Sequence, residues 1–545
     1  YNKSIAEKHN FHIMGGFQCE QLRRTEFGLQ RNGIIDPEKS EVDLTNGLSY
    51  QGVAITPNVN GARNQWQTAG FFGRINYNYA ERYLAELNLR YDGTSKFRSD
   101  KMWKLFPSIS LGWRISEENF MKNTKDWLSN LKLRLSYGSL GNQNIDNWYQ
   151  TYQTIAYRAF TGYWLQNGQK TNTTSAPGLV SSLLTWEKVE SYNVGLDFGF
   201  LNNRLTGSFD YFVRNTKNMV GKAPELPSIL GTGVPVTNNT DLRTNGWELQ
   251  LSWNDQLANG LHYGVTFNLS DSRTKITRYP NNPTNSIDTY IKGRYINEIW
   301  GYTTKGIAKS NEEMNAHLST TDQSTIGSNW AAGDIMYEDT NNDKQINDGA
   351  RTITDHGDLK VIGNSTPRFL WGIDLNASWK GFDIRAFFQG VMKRDAWLGG
   401  SWGSLEYYFG ATNSGEWWAT GITAVKDYYR DANTWSVANG YQKANQDAFL
   451  PRATFSNKNE RCQTRYLMNA AYMRLKNFQA GYTIPRNITT KWGISNMRVF
   501  VSIENLFTIT KMPKQFDPEI IGTDSRHSNG YPLSKTFSFG INVTF

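Results

Sequence analysis

At 545 residues the chain is longer than a single soluble core normally becomes. A mean hydropathy of −0.59, with no run approaching about 18 apolar residues, excludes transmembrane helices. The net charge of +9 is spread along the chain without a Lys/Arg run, so no nucleic-acid partner is expected. Aromatics make up 14% of residues, a β-rich composition. Cys19 and Cys462 lie too far apart in sequence to suggest a thiol metal site or a disulfide framework.

The chain opens at "YNKSIAEKHNFHIMGGF", which carries no signal peptide and reads as protein interior. A processed N-terminus or a fragment is expected. A period of two then recurs along the chain. "GRINYNYA" sets Ile75, Tyr77 and Tyr79 against Arg74, Asn76 and Asn78. "YLAELNLRY" sets Tyr83, Leu87, Leu89 and Tyr91 against Glu86, Asn88 and Arg90. "LKLRLSY" sets Leu131, Leu133 and Leu135 against Lys132 and Arg134, and "WELQLSW" sets Trp247, Leu249 and Leu251 against Glu248 and Gln250. "FLWGIDLNASW" and "FDIRAFF" follow, with Asp374, Asp383 and Arg385 on the polar side. The final "KTFSFGINVTF" places Phe537, Phe539, Ile541, Val543 and Phe545 on one parity.

A large β-sandwich or propeller also alternates, but no blade-like repeat is visible. Aromatic residues sit at the segment ends (Tyr79, Tyr83, Tyr91, Trp113, Tyr137, Trp253, Trp379), as in the girdles of outer-membrane barrels. Connections alternate between short and long. The long ones fall near 21–68, 139–187, 214–244, 270–366, 391–468 and 508–533. On this pattern about fourteen strands are expected. They lie near 8–20, 68–79, 83–92, 107–116, 130–139, 187–199, 204–214, 245–254, 260–270, 367–379, 381–391, 470–484, 497–507 and 534–545. The fold class is all-β, an antiparallel transmembrane β-barrel with the apolar parity facing outer-membrane lipid. Leu133, Leu251 and Ile541 should face lipid; Arg134, Gln250 and Asn542 should face inward, as should Arg90, Arg114 and Lys132.

Long motifs carry a resemblance. "LNLRYDGTSKFRSDKMWKLFPSISLGWRISEENFM" with "LKLRLSYGSLGNQNI" resembles the SusC-type TonB-dependent outer-membrane transporters. So do "YEDTNNDKQINDGA…DLKVIGNSTPRFLWGIDLNASWKGFDIRAFFQG" and "YMRLKNFQAGYTIP…MRVFVSIENLFTIT". The likeness runs from near residue 8 to the end. It implies that residues 1–545 are the C-terminal part of a 22-stranded plugged barrel. The TonB-contacting segment, the plug and about eight N-terminal strands would then lie outside the chain. It also implies import of a large nutrient, TonB energy coupling and a SusD-like surface lipoprotein as partner. Oligosaccharide is the favoured cargo and oligopeptide the alternative. A terminal aromatic on the last strand is similar to the signal read by the barrel-assembly machinery. A non-transporting outer-membrane adhesin or barrel enzyme is the rival reading.

Two loop constellations stand out. In "DTNNDKQIND", Asp339, Asn341, Asp343 and Asn347 take positions 1, 3, 5 and 9 of a calcium loop. Lys344 replaces the usual Gly, and Ala350 the usual bidentate Glu. Asx turns alone also account for such a loop. Ca2+ is the one candidate ion, and no cofactor is required. The 391–468 connection carries Trp397, Trp402, Tyr407, Tyr408, Phe409, Trp417 and Trp418. Such rings stack on sugars, on a partner, or on one another. Enzyme signals are poor. The six histidines show no zinc spacing, and "TDHGD" (Asp355, His356, Asp358) reads as a solvated turn.

Overall fold

The computed structural model describes the chain except residues 99, 146, 156, 159–160, 175–176, 225–226, 228, 230–231, 398–425, 455, 515 and 522–530. The chain divides into two compact units, one of residues 1–112, 135–192 and 214–241, the other of residues 113–134, 193–213 and 242–545.

Sixteen strands form one sheet. In chain order they are β1 (Asn2–Ile5), β2 (His9–Gln30), β3 (Asn58–Tyr79), β4 (Tyr83–Thr94), β5 (Trp103–Arg114) and β6 (Leu128–Asn142). Next come β7 (Glu187–Phe200), β8 (Leu205–Lys222), β9 (Val236–Gln256), β10 (His262–Arg278) and β11 (Arg368–Trp379). The last are β12 (Phe382–Lys393), β13 (Tyr472–Thr483), β14 (Asn496–Glu504), β15 (Thr508–Thr510) and β16 (Thr536–Thr544). In the first unit β1 to β5 pair in chain order. In the second, β10, β11, β12, β13, β14 and β16 do so, with β15 beside β13. These pairings are antiparallel: His9↔Tyr79 to Gln30↔Asn58, Val265↔Leu375, Val499↔Ile541. Tight turns join several neighbours. Lys380 and Gly381, with φ of 47° and 89°, are the left-handed pair of a two-residue hairpin, and Ala80 and Glu81, at 49° and 58°, open a three-residue turn between Tyr79 and Tyr83.

The pattern of exposure is the inverse of that in a soluble sheet. On β4, Tyr83, Leu87, Leu89 and Tyr91 are exposed, while Glu86, Asn88 and Arg90 are partly covered. On β5, Leu105 is 52% and Leu111 47% exposed, while Phe106 on the other parity is buried. On β16 every apolar residue from Phe537 to Val543 is exposed. Apolar side chains presented outward along strand after strand require a hydrocarbon solvent. The large antiparallel sheet is thus the expected membrane wall.

Fourteen of the sixteen strands answer to the fourteen expected, but several are longer. β2 continues to Gln30 where the alternation stops near residue 20, and β3 begins at Asn58 instead of 68. β8 runs to Lys222, and β9 starts at Val236. Above the lipid both faces of a strand are wet, so the period-two signal fades while backbone pairing continues. The long connections shrink accordingly.

Candidate functional site

The inward parity is a wall of paired charge. In the second unit Arg134 holds Asp197 through Nε and Nη2 (2.8–3.0 Å) and Asp210 through Nη1 and Nη2 at 2.9 and 2.7 Å. Arg385 binds Asp374, and Arg498 binds Asp383 with Nε at 2.9 Å. In the first unit Arg90 Nε donates to Asp92 at 2.9 Å, and Arg74 Nε to Asn88 Oδ1 at 2.6 Å. Arg114 reaches Glu117 at 3.9 Å, and Lys132 is partly covered. Arg134, Arg385 and Arg498 pair across strands in bidentate contacts, while Arg90 and Arg114 pair within their own stretch of chain.

In the second unit, three long connections (279–367, 394–471 and 505–535) fold over one apolar core. Tyr302, Ile335, Tyr337, Ile346, Leu450, Tyr466 and Ile521 are buried in it. Two small two-stranded sheets build this cap. Glu298–Gly301 pairs with Lys360–Asn364, and Thr304–Ile307 pairs with Ile335–Tyr337. A helix, Asn311–Leu318, starts at Ser310, whose side chain accepts from Glu313 N at 3.2 Å.

A buried ionic knot ties the first connection to the second. Asp334 is fully buried and accepts from Arg452 Nε (2.9 Å), Asn459 Nδ2 (3.0 Å) and Lys458 Nζ (2.8 Å). Lys458 Nζ also donates to the carbonyls of Ser328 and Asn329 at 3.0 and 2.8 Å, and lies 4.6 Å from the Trp330 ring centre. Burial by itself would raise Asp334, but the Arg452, Asn459 and Lys458 hydrogen bonds more than reverse it, leaving the carboxyl below its usual range. Burial pushes Lys458 down, with Asp334 opposing.

The proposed calcium ligands sit in a loop of Asx turns. Asp339 accepts from the N–H of Asn342 at 2.6 Å and of Lys344 at 2.8 Å. Asn341 accepts from Asp343 N, Asp343 from Gln345 N and Asn347 from Gly349 N. Lys344 has φ of 67°, the left-handed bend that Gly supplies in a calcium loop. In "TDHGD", Asp358 is buried and accepts from Thr340 N (2.7 Å) and Asn347 N (2.9 Å); burial raises it above the usual carboxylate value. His356 lies 5.4 Å from the Trp300 ring. Burial pushes the Cys462 thiol up to about 12, so it is a poor nucleophile at neutral pH.

Of the aromatic candidates, Trp397 is half-buried against the cap core. Trp402, Tyr407, Tyr408, Phe409, Trp417 and Trp418 lie outside the described residues. The same connection holds a pair that the sequence reading did not single out. Trp435 and Tyr441 stack at 5.3 Å and 19°, 71% and 72% exposed. The signal was "TWSVANGY", a short helix ended by Gly440 at φ 76°.

A family model for "TonB dependent receptor-like, beta-barrel" matches residues 20–357, more than half of the chain. The chain belongs to that family. This TonB-dependent receptor-like β-barrel chain is 28% identical to TonB-dependent receptor P3 of Formosa agariphila, covering 100% of itself and 51% of that protein. It is 28% identical to TonB-dependent receptor SusC of Bacteroides thetaiotaomicron, over 87% of itself and 43% of that protein. The solved structure of the RagAB peptide transporter superposes with a TM-score of 0.74 at 22% identity, over 100% of this chain and 54% of that one. The chain spans about half the length of the curated relatives it matches. Membership of that family makes it an outer-membrane chain.

Proposed function

We propose that the chain forms the wall and external cap of an importer that carries a large nutrient across the outer membrane. TonB drives it, and a SusD-like surface lipoprotein sits on the long connections. The observation that carries this reading is the cap. Three connections share one core and present the exposed Trp435–Tyr441 pair to the outside. Stacked flat rings with free outer faces suit sugar rings, so oligosaccharide is the favoured cargo. Oligopeptide is the second reading, favoured by the likeness of fold to a peptide transporter.

The test replaces Trp435 and Tyr441 together with Ala in the full-length receptor. Growth is then scored on single oligosaccharides and on oligopeptides, with capture of the lipoprotein measured alongside. Loss of growth on one oligosaccharide, with the lipoprotein retained, is expected. Loss on peptide alone would move the cargo to peptide. Unchanged growth on both would remove the ring pair from the cargo path.

A further inference from the structure

Above the apolar band, the outward face of β9 and β10 turns cationic. Two hydroxyl pairs set the register of these strands. Ser252 Oγ lies 2.7 Å from Thr266 Oγ1, and Thr244 Oγ1 2.8 Å from Thr274 Oγ1. Those hydroxyls share the inward parity with Gln250, so the opposite parity faces lipid. It carries Trp247, Leu249, Leu251 and Trp253 on β9, and Tyr263, Val265, Phe267 and Leu269 on β10. Followed upward, the same face brings Asn245 opposite Arg273, then Arg243 opposite Lys275.

Arg243, Arg273 and Lys275 are all exposed. Among the described residues none of the three forms a salt bridge. The acids of that face are engaged elsewhere: Asp271 is held by Arg368, and Asp241 accepts from Asn218 N at 2.7 Å. One ring gathers two of the cations. The Arg273 guanidinium lies 3.6 Å and the Lys275 ammonium 4.9 Å from the centre of Tyr295. Three like charges gathered this way repel unless an anion sits among them.

Height identifies the anion. From Tyr263 at the lower girdle to Arg273, a strand rising about 3.4 Å per residue and tilted near 45° climbs roughly 25 Å, the height of the apolar band of such barrels. The cations therefore stand at headgroup level, on the side of the long connections, which in such barrels is the outer leaflet. We propose that this patch binds the phosphate groups of the outer-leaflet glycolipid, with Arg273 and Arg243 as bidentate donors and Lys275 as a point charge. The inference rests on the outer-membrane placement and not on the cargo, so a failed uptake experiment leaves it standing.

The full-length receptor in detergent is titrated with bis-phosphorylated lipid A, with its dephosphorylated form and with inorganic phosphate. Binding is read by native mass spectrometry. Binding of the phosphorylated lipid, at least tenfold weaker in the Arg243→Gln/Arg273→Gln/Lys275→Gln protein, is expected. The single Lys275→Gln protein should show a smaller loss, and Lys443→Gln, on an exposed loop, none. Thermal melting verifies that each variant is folded. Equal affinity of the triple variant, or equal binding of the dephosphorylated lipid, would overturn the proposal. So would inorganic phosphate competing as well as the lipid, since the site would then take free phosphate.

Discussion

Asp334 shows how much a single buried carboxylate can hold. Replacing it with Asn leaves the buried Lys458, and the partly exposed Arg452, without their counter-charge. Such a loss costs about 3–5 kcal/mol. Proteolysis of the cap should accelerate, while the melting of the strands stays near wild type. The pH dependence has a definite sign. The folded carboxyl titrates below the unfolded one, so its contribution is complete above about pH 4 and is lost as pH falls through the folded value. Hydrogen exchange of the cap between pH 7 and pH 3 should show this opening, and a cap equally protected at both would refute it. The calcium loop is decided at the same scale. Protease protection of residues 330–360 is expected with calcium. A chelator should remove it as fully as the Asp339→Ala/Asp343→Ala pair does. A wild-type loop indifferent to chelator would be a set of Asx turns and nothing more. The spacing of Asp339, Asn341, Asp343 and Asn347 was legible in the sequence. Asx turns, whose oxygens accept from N–H groups of their own loop, were legible there too; that Lys344 takes the left-handed bend usually left to glycine was not, because a non-glycine residue seldom adopts it.

At the level of the strand, parity is the property that matters. Leu251 and Gln250 are neighbours on β9, yet one faces lipid and the other the interior. Arg at Leu251 is expected to cost roughly 2–4 kcal/mol in a bilayer unfolding titration, and Arg at Gln250 much less. Similar losses at both would contradict a membrane wall. Strand positions and faces could be read from alternation because lipid demands it on every second residue, as from Tyr83 to Tyr91. Strand lengths could not. β2 and β3 stay paired to Gln30 and Asn58, where "QLRRTEFGLQ" mixes polar and apolar residues on both faces. There the stabilising force is backbone hydrogen bonding, which leaves little trace in side-chain hydrophobicity.

At the scale of the whole chain, the described parts of three connections share one apolar core, and the cap is expected to open as one body. Leu450 is almost fully buried in a core that draws on three connections. Leu450→Ala should cost about 2–5 kcal/mol. It should raise hydrogen exchange in all three connections together, leaving β3 to β5 unchanged. Exchange rising only in 394–471 would mean that the connections open independently. A cap that shares one core presents a pre-formed surface, with less ordering entropy to lose when anything binds it.

The membrane wall was determined by the sequence alone, because a strand between lipid and water must repeat its apolar residues every two positions, and that pattern is local. The family likeness was equally local, carried by long motifs in order. The cap, the knot at Asp334 and the cation cluster around Tyr295 were decided only by the tertiary structure. Lys458 meets Asp334 across more than a hundred residues of chain. Arg243 and Lys275 share a face only because two strands pair in one register. Contacts of that kind depend on which segments the fold brings together, and no spacing within a single segment encodes them.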